Sequence, residues 1–406
     1  MVNDSPNLYE KLLHLKELEL NSLLEITQAI NSNLPEAALY KIYHFTLIAN
    51  LNINKLALYV IDEDWACKVN YGTEKNYKKQ PIIPEVLSIN KITEIKNTIP
   101  IFNEFDKVIP ISHKANTLAY VFVSSSGNKD NNLEEVNTSF IQTFTNIIIV
   151  AIENKKLARK ELAQQAFRKE MEIAKEVQSF LFPKNLPVNE RVHVKASYHP
   201  HDSIGGDYYD YIKLSENSFI ICIADVSGKG IPAALLMSNF QASFRTLVRQ
   251  TTDLKQIIEA LNYNILDNAK GEKFITFFIA VFDLENNKIK YVNAGHNPPM
   301  LIANGEALSL DKGTTILGVF DKLPFINEQE ISLPRNSMLF AYTDGLTETA
   351  TEDGEEYGPE RLQEYLLQQT VKDKAGLHSN LYEELKRFKG KTKFPDDITY
   401  WSCLIG

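Results

Sequence analysis

Phe219-Ile220-Ile221-Cys222-Ile223-Ala224, followed at once by Asp225-Val226-Ser227-Gly228-Lys229-Gly230, is the stretch whose reading decides the fold. Six apolar residues in a row read as a strand buried on both faces. Covering both faces takes a further layer on each side, so a layered sheet architecture follows. The run stops at an aspartate and a glycine-rich turn, and a helical pattern then runs from Ala233 to Arg249. Three more segments share this design. Met338-Leu339-Phe340-Ala341-Tyr342 stops just short of Asp344-Gly345. Asp396-Asp397 immediately precedes the apolar run Ile398 to Ile405. Gly205-Gly206-Asp207 is the third.

Strand ends from separate elements can meet on one edge of a layered sheet structure. Aspartates gathered there repel one another, so cations are needed to make the cluster stable. Carboxylate and water ligands suit Mg2+ or Mn2+ best. Two such ions about 4 Å apart can activate a water for attack on phosphorus. Gly205-Gly206 and Gly228 let the backbone turn sharply and come close to them. Taken singly, each segment has a plainer reading: Asp-Gly is a turn signal, Gly-Gly a loop signal. Asp225 to Gly230, between a strand and a helix, also reads as a helix N-terminus that binds anions. The four together carry the argument.

Working outward, 406 residues predict two domains. Hydrophobic content of 44% and charged content of 23% are those of a globular protein. A net charge of -9 argues against a nucleic-acid binder, which would normally show a basic surface, and points to protein or small-molecule partners. Cys67, Cys222 and Cys403 are far apart and odd in number, so neither a disulfide framework nor a zinc site is expected, and a reduced compartment fits. Met1 to Pro6 lacks a basic start with an apolar run behind it, so no signal peptide is expected. The most apolar stretch, Ile147 to Ile152, is far short of the roughly 20 residues that span a bilayer. The expectation is a cytoplasmic protein without membrane segments.

The pattern predicts helices over 8–34 and 35–50, then strands Leu56 to Ile61, Lys107 to Ile111 and Leu118 to Val123, closed by Ser124 to Asn128. This gives a small α+β domain over residues 1–135. Residues 136–183 read as a long helix. Ile141, Ile148 and Leu162 share one seven-residue register, and Phe144, Ala151 and Ala158 a second. Phe167, Ala174 and Leu181 share another, as do Ala166, Ile173 and Phe180. Such spacing suggests a coiled-coil linker that pairs two protomers into a homodimer. A helix packed on its own domain is the alternative, and Lys155 and Lys169 interrupt the seam. Residues 184–406 are strand-rich, with helices over 233–249 and 254–268 and a hairpin of 274–282 and 288–293 turning at Glu285-Asn286-Asn287.

The segment from about Ala174 to Gly406, more than half the chain, resembles the SpoIIE/RsbU type of protein phosphatase, a branch of the metal-dependent protein phosphatase 2C superfamily. The residues that carry the resemblance stand in family order. They are Ala174, Gln178 and Leu181-Phe182-Pro183; Gly205 to Asp210; Asp225 to Gly230 with Pro232-Ala233-Ala234; Phe274 to Phe278; Asn293 to Pro299; Leu317-Gly318; Tyr342 to Glu348; and Asp396-Asp397-Ile398-Thr399. The resemblance implies an α-β-β-α sandwich with two Mg2+ or Mn2+ ions on one edge. It implies Asp207 and Asp225 as metal ligands and catalytic residues, with Asp225 bridging the ions. The Val226 carbonyl, Asp344 and Asp396 complete the set, and Asp397 is the competing neighbour of Asp396. The implied reaction is hydrolysis of phosphoserine or phosphothreonine on a protein, by in-line attack of a metal-activated water, and STAS-domain proteins of partner-switching control are the implied substrates.

Many members outside this branch have a histidine two places after the bridging aspartate, a candidate general acid; here Ser227 stands there. His296 is a candidate substitute, although Gly-His-Asn-Pro-Pro also reads as a turn, and Lys229 reads equally as a phosphate contact or a solvated side chain. Residues 1–135 resemble a GAF sensor domain, so the overall class is α+β: a GAF-like domain, a long helix and a phosphatase sandwich. Two other readings compete. Gly205-Gly206-Asp207-Tyr208-Tyr209 is superficially similar to the diguanylate cyclase signature, but it lacks the acid where Tyr208 stands. A catalytically weak scaffold that binds a regulatory partner would use the same fold.

Overall fold

The structure is a computed structural model that describes residues 5–51, 53–96, 98–113, 116–125, 131–369 and 376–406. The start of the chain at 1–4 and the closing Ser126 to Asn128 fall outside the described residues. Two compact units divide at Gln165/Ala166.

In the first unit, α1 (Ser5–Asn31) and α2 (Glu36–Leu51) precede β1 (Ile53–Ile61) and β2 (Trp65–Tyr71). There follow α3 (Pro84–Leu87), β3 (Thr93–Glu94), β4 (Lys107–His113) and β5 (Asn116–Ser125). Among the described residues these strands form one antiparallel sheet, ordered β2-β1-β5-β4-β3. The polar Asp62-Glu63-Asp64, expected only to end a strand, is the turn of the β1–β2 hairpin. One sheet face packs on α1 and α2 through Tyr43, Leu47, Leu56 and Leu58. The other is filled by its own aromatics, with Phe102 and Phe122 stacked at 4.2 Å.

The long helix, α4 (Asn131–Ser179), spans the division between the units. The helix bounds are Asn131 and Ser179, where 136–183 was expected. Phe140, Ile141, Phe144, Ile148, Ile149 and Ile152 are buried in the first unit's core, so this half of the helix is a packed element. Leu162, Phe167 and Ile173 stay exposed, as does Phe180 just past the helix. Among the described residues, no helix is long and apolar enough to cross a membrane.

The second unit is a sandwich. One layer contains β7 (Tyr208–Lys213), β8 (Ser218–Val226), β9 (Ile275–Asp283) and β10 (Lys288–Ala294), edged by the short β13 (Gly313–Thr314) and β14 (Gln329–Ser332). The other, ordered β12-β11-β15-β16-β6, contains β6 (Val192–His199), β11 (Met300–Ala303), β12 (Glu306–Ser309), β15 (Ser337–Tyr342) and β16 (Ile398–Ile405). α5 (Gly230–Val248) and α6 (Leu254–Ala269) cover the first sheet. After the single turn α7 (Asp344–Thr347), α8 (Gly358–Gln368) and α9 (Leu377–Lys389) cover the second.

The period-two alternation of strands explains why the apolar runs are unbroken. In β8, Ile220, Cys222 and Ala224 face the helices while Phe219, Ile221 and Ile223 face the opposite sheet. In β16, Tyr400 faces α8 and α9 while Trp401, Cys403 and Ile405 fill the space between the sheets. Each fully buried side chain of this size contributes roughly 1.5–3 kcal/mol. That anchors the strands whose ends carry the aspartates.

Candidate active site

The ends of β7, β8, β15 and β16 bring the four acidic segments to one edge of the sandwich. Asp225 is the penultimate residue of β8, opposite Thr276 on β9. Asp207 lies immediately before β7 and is buried. Its carboxylate accepts a 2.8 Å hydrogen bond from Thr343 Oγ1, which also accepts one from the Thr399 backbone N–H at 3.0 Å. The Asp225 carboxylate is close enough to raise the Asp207 carboxyl through its charge. Asp344 opens α7 with Thr343 as its N-cap, and Asp396 sits before β16. The Val226 carbonyl faces Gly206, where an added Cβ would stand 3.0 Å from it.

The electrostatics are those of carboxylates held close without enough positive charge. Burial, then Asp225 and Asp397, push the Asp207 carboxyl well above the usual range. Burial, then Asp344, Asp396 and Asp397, push Asp225 up to about 7. Asp344 is raised by burial and by Asp396. Glu348, not singled out in the sequence, is raised by burial and by Asp344. Among the described residues, the one cation paired with this group is Lys229, whose Nζ is 2.9 Å from Asp396 and also donates to the Pro395 carbonyl at 2.5 Å. Also among the described residues, no three His, Cys, Asp or Glu side chains are placed to hold an ion as they stand. Asp396 is paired with Lys229, while Asp207, Asp225 and Asp344 remain close enough to raise one another's pKa. The donor set is nonetheless hard oxygen throughout, which is what Mg2+ and Mn2+ take.

The two neighbouring aspartates differ in role. Asp397 accepts hydrogen bonds from the backbone N–H of His201 (2.7 Å) and of Gly206 (2.8 Å), so its carboxylate fastens the 201–206 loop. Two glycines exist for its sake. A Cβ on Gly205 would lie 2.0 Å from its carboxylate, and one on Gly345 would lie 2.1 Å from its carbonyl oxygen. Gln178 pins the same loop, donating to the Gly205 carbonyl at 2.8 Å. Asp210 takes no part in the cluster: it is buried beyond β7's start, where Arg245 grips it in a bidentate pair at 2.6 and 2.8 Å.

Ser227 and His296 are both engaged in local hydrogen bonds. The Ser227 hydroxyl accepts from the Phe274 N–H at 3.0 Å and its own N–H bonds the Phe274 carbonyl, which ties the end of β8 to the start of β9. His296 is buried, with Nδ1 2.8 Å from Thr276 Oγ1 and its backbone held on both sides by Asn293. Burial lowers its pKa to about 3, so the ring is neutral at neutral pH rather than an acidic imidazolium.

Paired sheets between helix layers, with carboxylates on one edge, define the class as the protein phosphatase 2C fold. The solved SiaA-PP2C domain of Pseudomonas aeruginosa shares it, with a TM-score of 0.54 at 19% identity over 60% of this chain and 99% of that one. The family model for stage II sporulation protein E (SpoIIE) matches residues 215–403. The phosphoserine phosphatase RsbU of Bacillus subtilis is 30% identical over 239 residues, 58% of this chain and 70% of its own length. Protein IcfG of Synechocystis is 27% identical over 314 residues, 70% of this chain but 48% of IcfG. The chain belongs to the SpoIIE family of PP2C-type phosphatases and is a hydrolase.

Proposed function

We propose that this protein is a metal-dependent phosphatase that hydrolyses phosphoserine or phosphothreonine on a protein substrate, acting in the cytoplasm. One observation carries the reading: Asp207, Asp225, Asp344 and Asp396 meet on one sandwich edge with a single lysine paired to them among the described residues. These four side chains and the Val226 carbonyl are the groups that would hold Mg2+ or Mn2+ ions. Bound there, the ions would supply an activated water and neutralise charge on the transferred phosphoryl group. The chain's own residues prepare the site. Thr343 orients Asp207, Asp397 and Gln178 fix the loop that carries it, and the buried strands hold Asp225 in place. No imidazole stands two places after Asp225, and His296 is held neutral, so the leaving oxygen takes its proton from a group other than these.

RsbU is named a phosphoserine phosphatase, which supports a phosphoprotein substrate here and makes a STAS-domain regulator the first candidate. The exposed Phe167, Ile173, Val177 and Phe180 support homodimerisation through the long helix. The sheet of the first unit, with helices on one face, supports the GAF-like reading of that unit. The complete carboxylate set weighs against a scaffold without activity. Mn2+-dependent hydrolysis of p-nitrophenyl phosphate tests the assignment: turnover lost in Asp225→Ala agrees with it, and unchanged turnover in that variant refutes it.

A further inference from the structure

Beside the aspartate cluster lies a cleft of about 560 Å3 that the phosphatase chemistry does not use. One wall is the 199–202 segment at the end of β6; the other is the end of α9 and the loop into β16. Four lysines line it, Lys386, Lys389, Lys391 and Lys393, against one carboxylate, Asp202. In a chain of net charge -9, this is a local reversal of sign. Lys386 is paired with Glu383 at 2.8 Å, and Lys389 is spent on the carbonyls of Gly390 and Thr392. Lys391 and Lys393 are exposed and, among the described residues, meet no carboxylate.

The floor is aromatic. His199 stacks on Tyr382 at 3.8 Å, and Tyr382 on Phe394 at 5.7 Å. Lys386 lies over the Tyr382 ring at 4.4 Å and Lys389 over Phe394 at 5.0 Å, which keeps both ammonium heads in the cleft. The wall runs directly into the site. His201 Nδ1 donates to the Phe394 carbonyl at 2.9 Å, the His201 N–H reaches Asp397, and Lys229 holds the Pro395 carbonyl. Lys393 and Lys391 stand three and five residues before Asp396. At about 3.3 Å per extended residue, a peptide with its phosphoryl group at the cluster needs only a few residues to lie along this wall.

We propose that this cleft holds an acidic segment of the phosphoprotein substrate, next to the residue that is dephosphorylated. The inference rests on the phosphatase reading above and adds the chemistry of the partner. Lysine heads on flexible stems suit a run of Asp and Glu side chains, whereas a built phosphate pocket uses planar forks or backbone N–H groups. Exposed charges of this kind set partner choice and encounter rate.

The test uses the full chain, a fluorescein-labelled Asp-rich nonapeptide without phosphate, and a Lys-rich control, read by fluorescence anisotropy at low salt. The expected result is that the acidic peptide binds, the control does not, and the Lys391→Glu/Lys393→Glu variant binds about 5- to 10-fold more weakly, given the modest strength of each exposed pair. Turnover of p-nitrophenyl phosphate by that variant should stay within about twofold of wild type, because neither lysine touches the carboxylates; this also reports that the variant is folded. No binding by wild type, or equal binding by the variant, overturns the proposal. So does displacement of the peptide by inorganic phosphate beyond that by chloride at equal ionic strength, which would make the cleft a phosphate site. A wild type that binds the peptide yet hydrolyses no p-nitrophenyl phosphate removes the phosphatase reading instead, so the two failures are distinguishable.

Discussion

Replacing Asp397 by alanine is expected to loosen the sandwich edge, while the same change at Asp396 leaves it standing. The Asp397 carboxylate takes the His201 and Gly206 N–H groups at 2.7 and 2.8 Å. A hydrogen bond to a charged group contributes about 1.5–3 kcal/mol. The pair counts for less than the full sum, because His201 is exposed and its N–H regains water. Burial also penalises the Asp397 charge, raising its pKa. A net loss of about 2–4 kcal/mol follows. In a unit of this size each kcal/mol moves Tm by about 2–4 °C, so the expected fall is on the order of 4–16 °C. Asp396→Ala removes a part-exposed ion pair with Lys229 worth about 0–1 kcal/mol and also one repelling charge from beside Asp225. Its Tm should move by no more than about 4 °C. The chain has two tryptophans, so in a Trp65→Phe background Trp401, buried between the sheets, reports the melt by fluorescence in EDTA. Asp397→Ala melting within about 2 °C of its parent, or Asp396→Ala melting lower than Asp397→Ala, would refute the division of roles.

Three further outcomes are expected. The raised Asp225 carboxyl, up to about 7 from 3.8, stays protonated in the folded chain where the unfolded chain has ionised it. Its contribution to stability without divalent cations should therefore be full below about pH 4 and fall as pH rises to about 7, by up to roughly 4 kcal/mol, and Mn2+ should flatten the trend; chemical melts at pH 5 and 8 in EDTA and in Mn2+ check this. Arg245→Met leaves the Asp210 carboxylate buried without its guanidinium and should cost about 3–5 kcal/mol, read as a lower urea midpoint at constant slope. Ser227→Ala removes the acceptor for the Phe274 N–H and should cost about 1 kcal/mol while leaving the pH profile of turnover unchanged; a lost limb of the profile would show that Ser227 handles a proton.

Much of the fold was legible because the sandwich strands are buried on both faces. Phe219 to Ala224, Met338 to Tyr342 and Ile398 to Ile405 read as continuous apolar runs, and the strands span Ser218–Val226, Ser337–Tyr342 and Ile398–Ile405. The hairpin at Glu285 to Asn287 was legible from turn chemistry, and Asn287 takes the positive φ of 50° that asparagine tolerates. Edge strands such as Glu306–Ser309 and Gln329–Ser332 were missed, since four half-exposed residues carry no periodic signal. The long helix was found, but its division was not: Phe144 and Phe167 look alike in a heptad, and only tertiary packing buries one and exposes the other.

At the site, the aspartates were legible as a set and their individual duties were not. Nothing in Asp396-Asp397 says which carboxylate meets backbone N–H groups from residue 206. The signal was present indirectly in Gly205 and Gly345, two glycines distant in sequence that both make room for Asp397. The grip of Arg245 on Asp210 and the lysine cleft join segments 35 or more residues apart, which no local pattern reports.

The central claim is that Asp207, Asp225, Asp344 and Asp396 form one site for a pair of divalent ions. Equilibrium dialysis of the full chain against Mn2+ tests it most directly. The account predicts two ions per chain at saturation in the wild type and at most one in Asp225→Asn. Equal occupancy in wild type and Asp225→Asn, or none in the wild type, would contradict it.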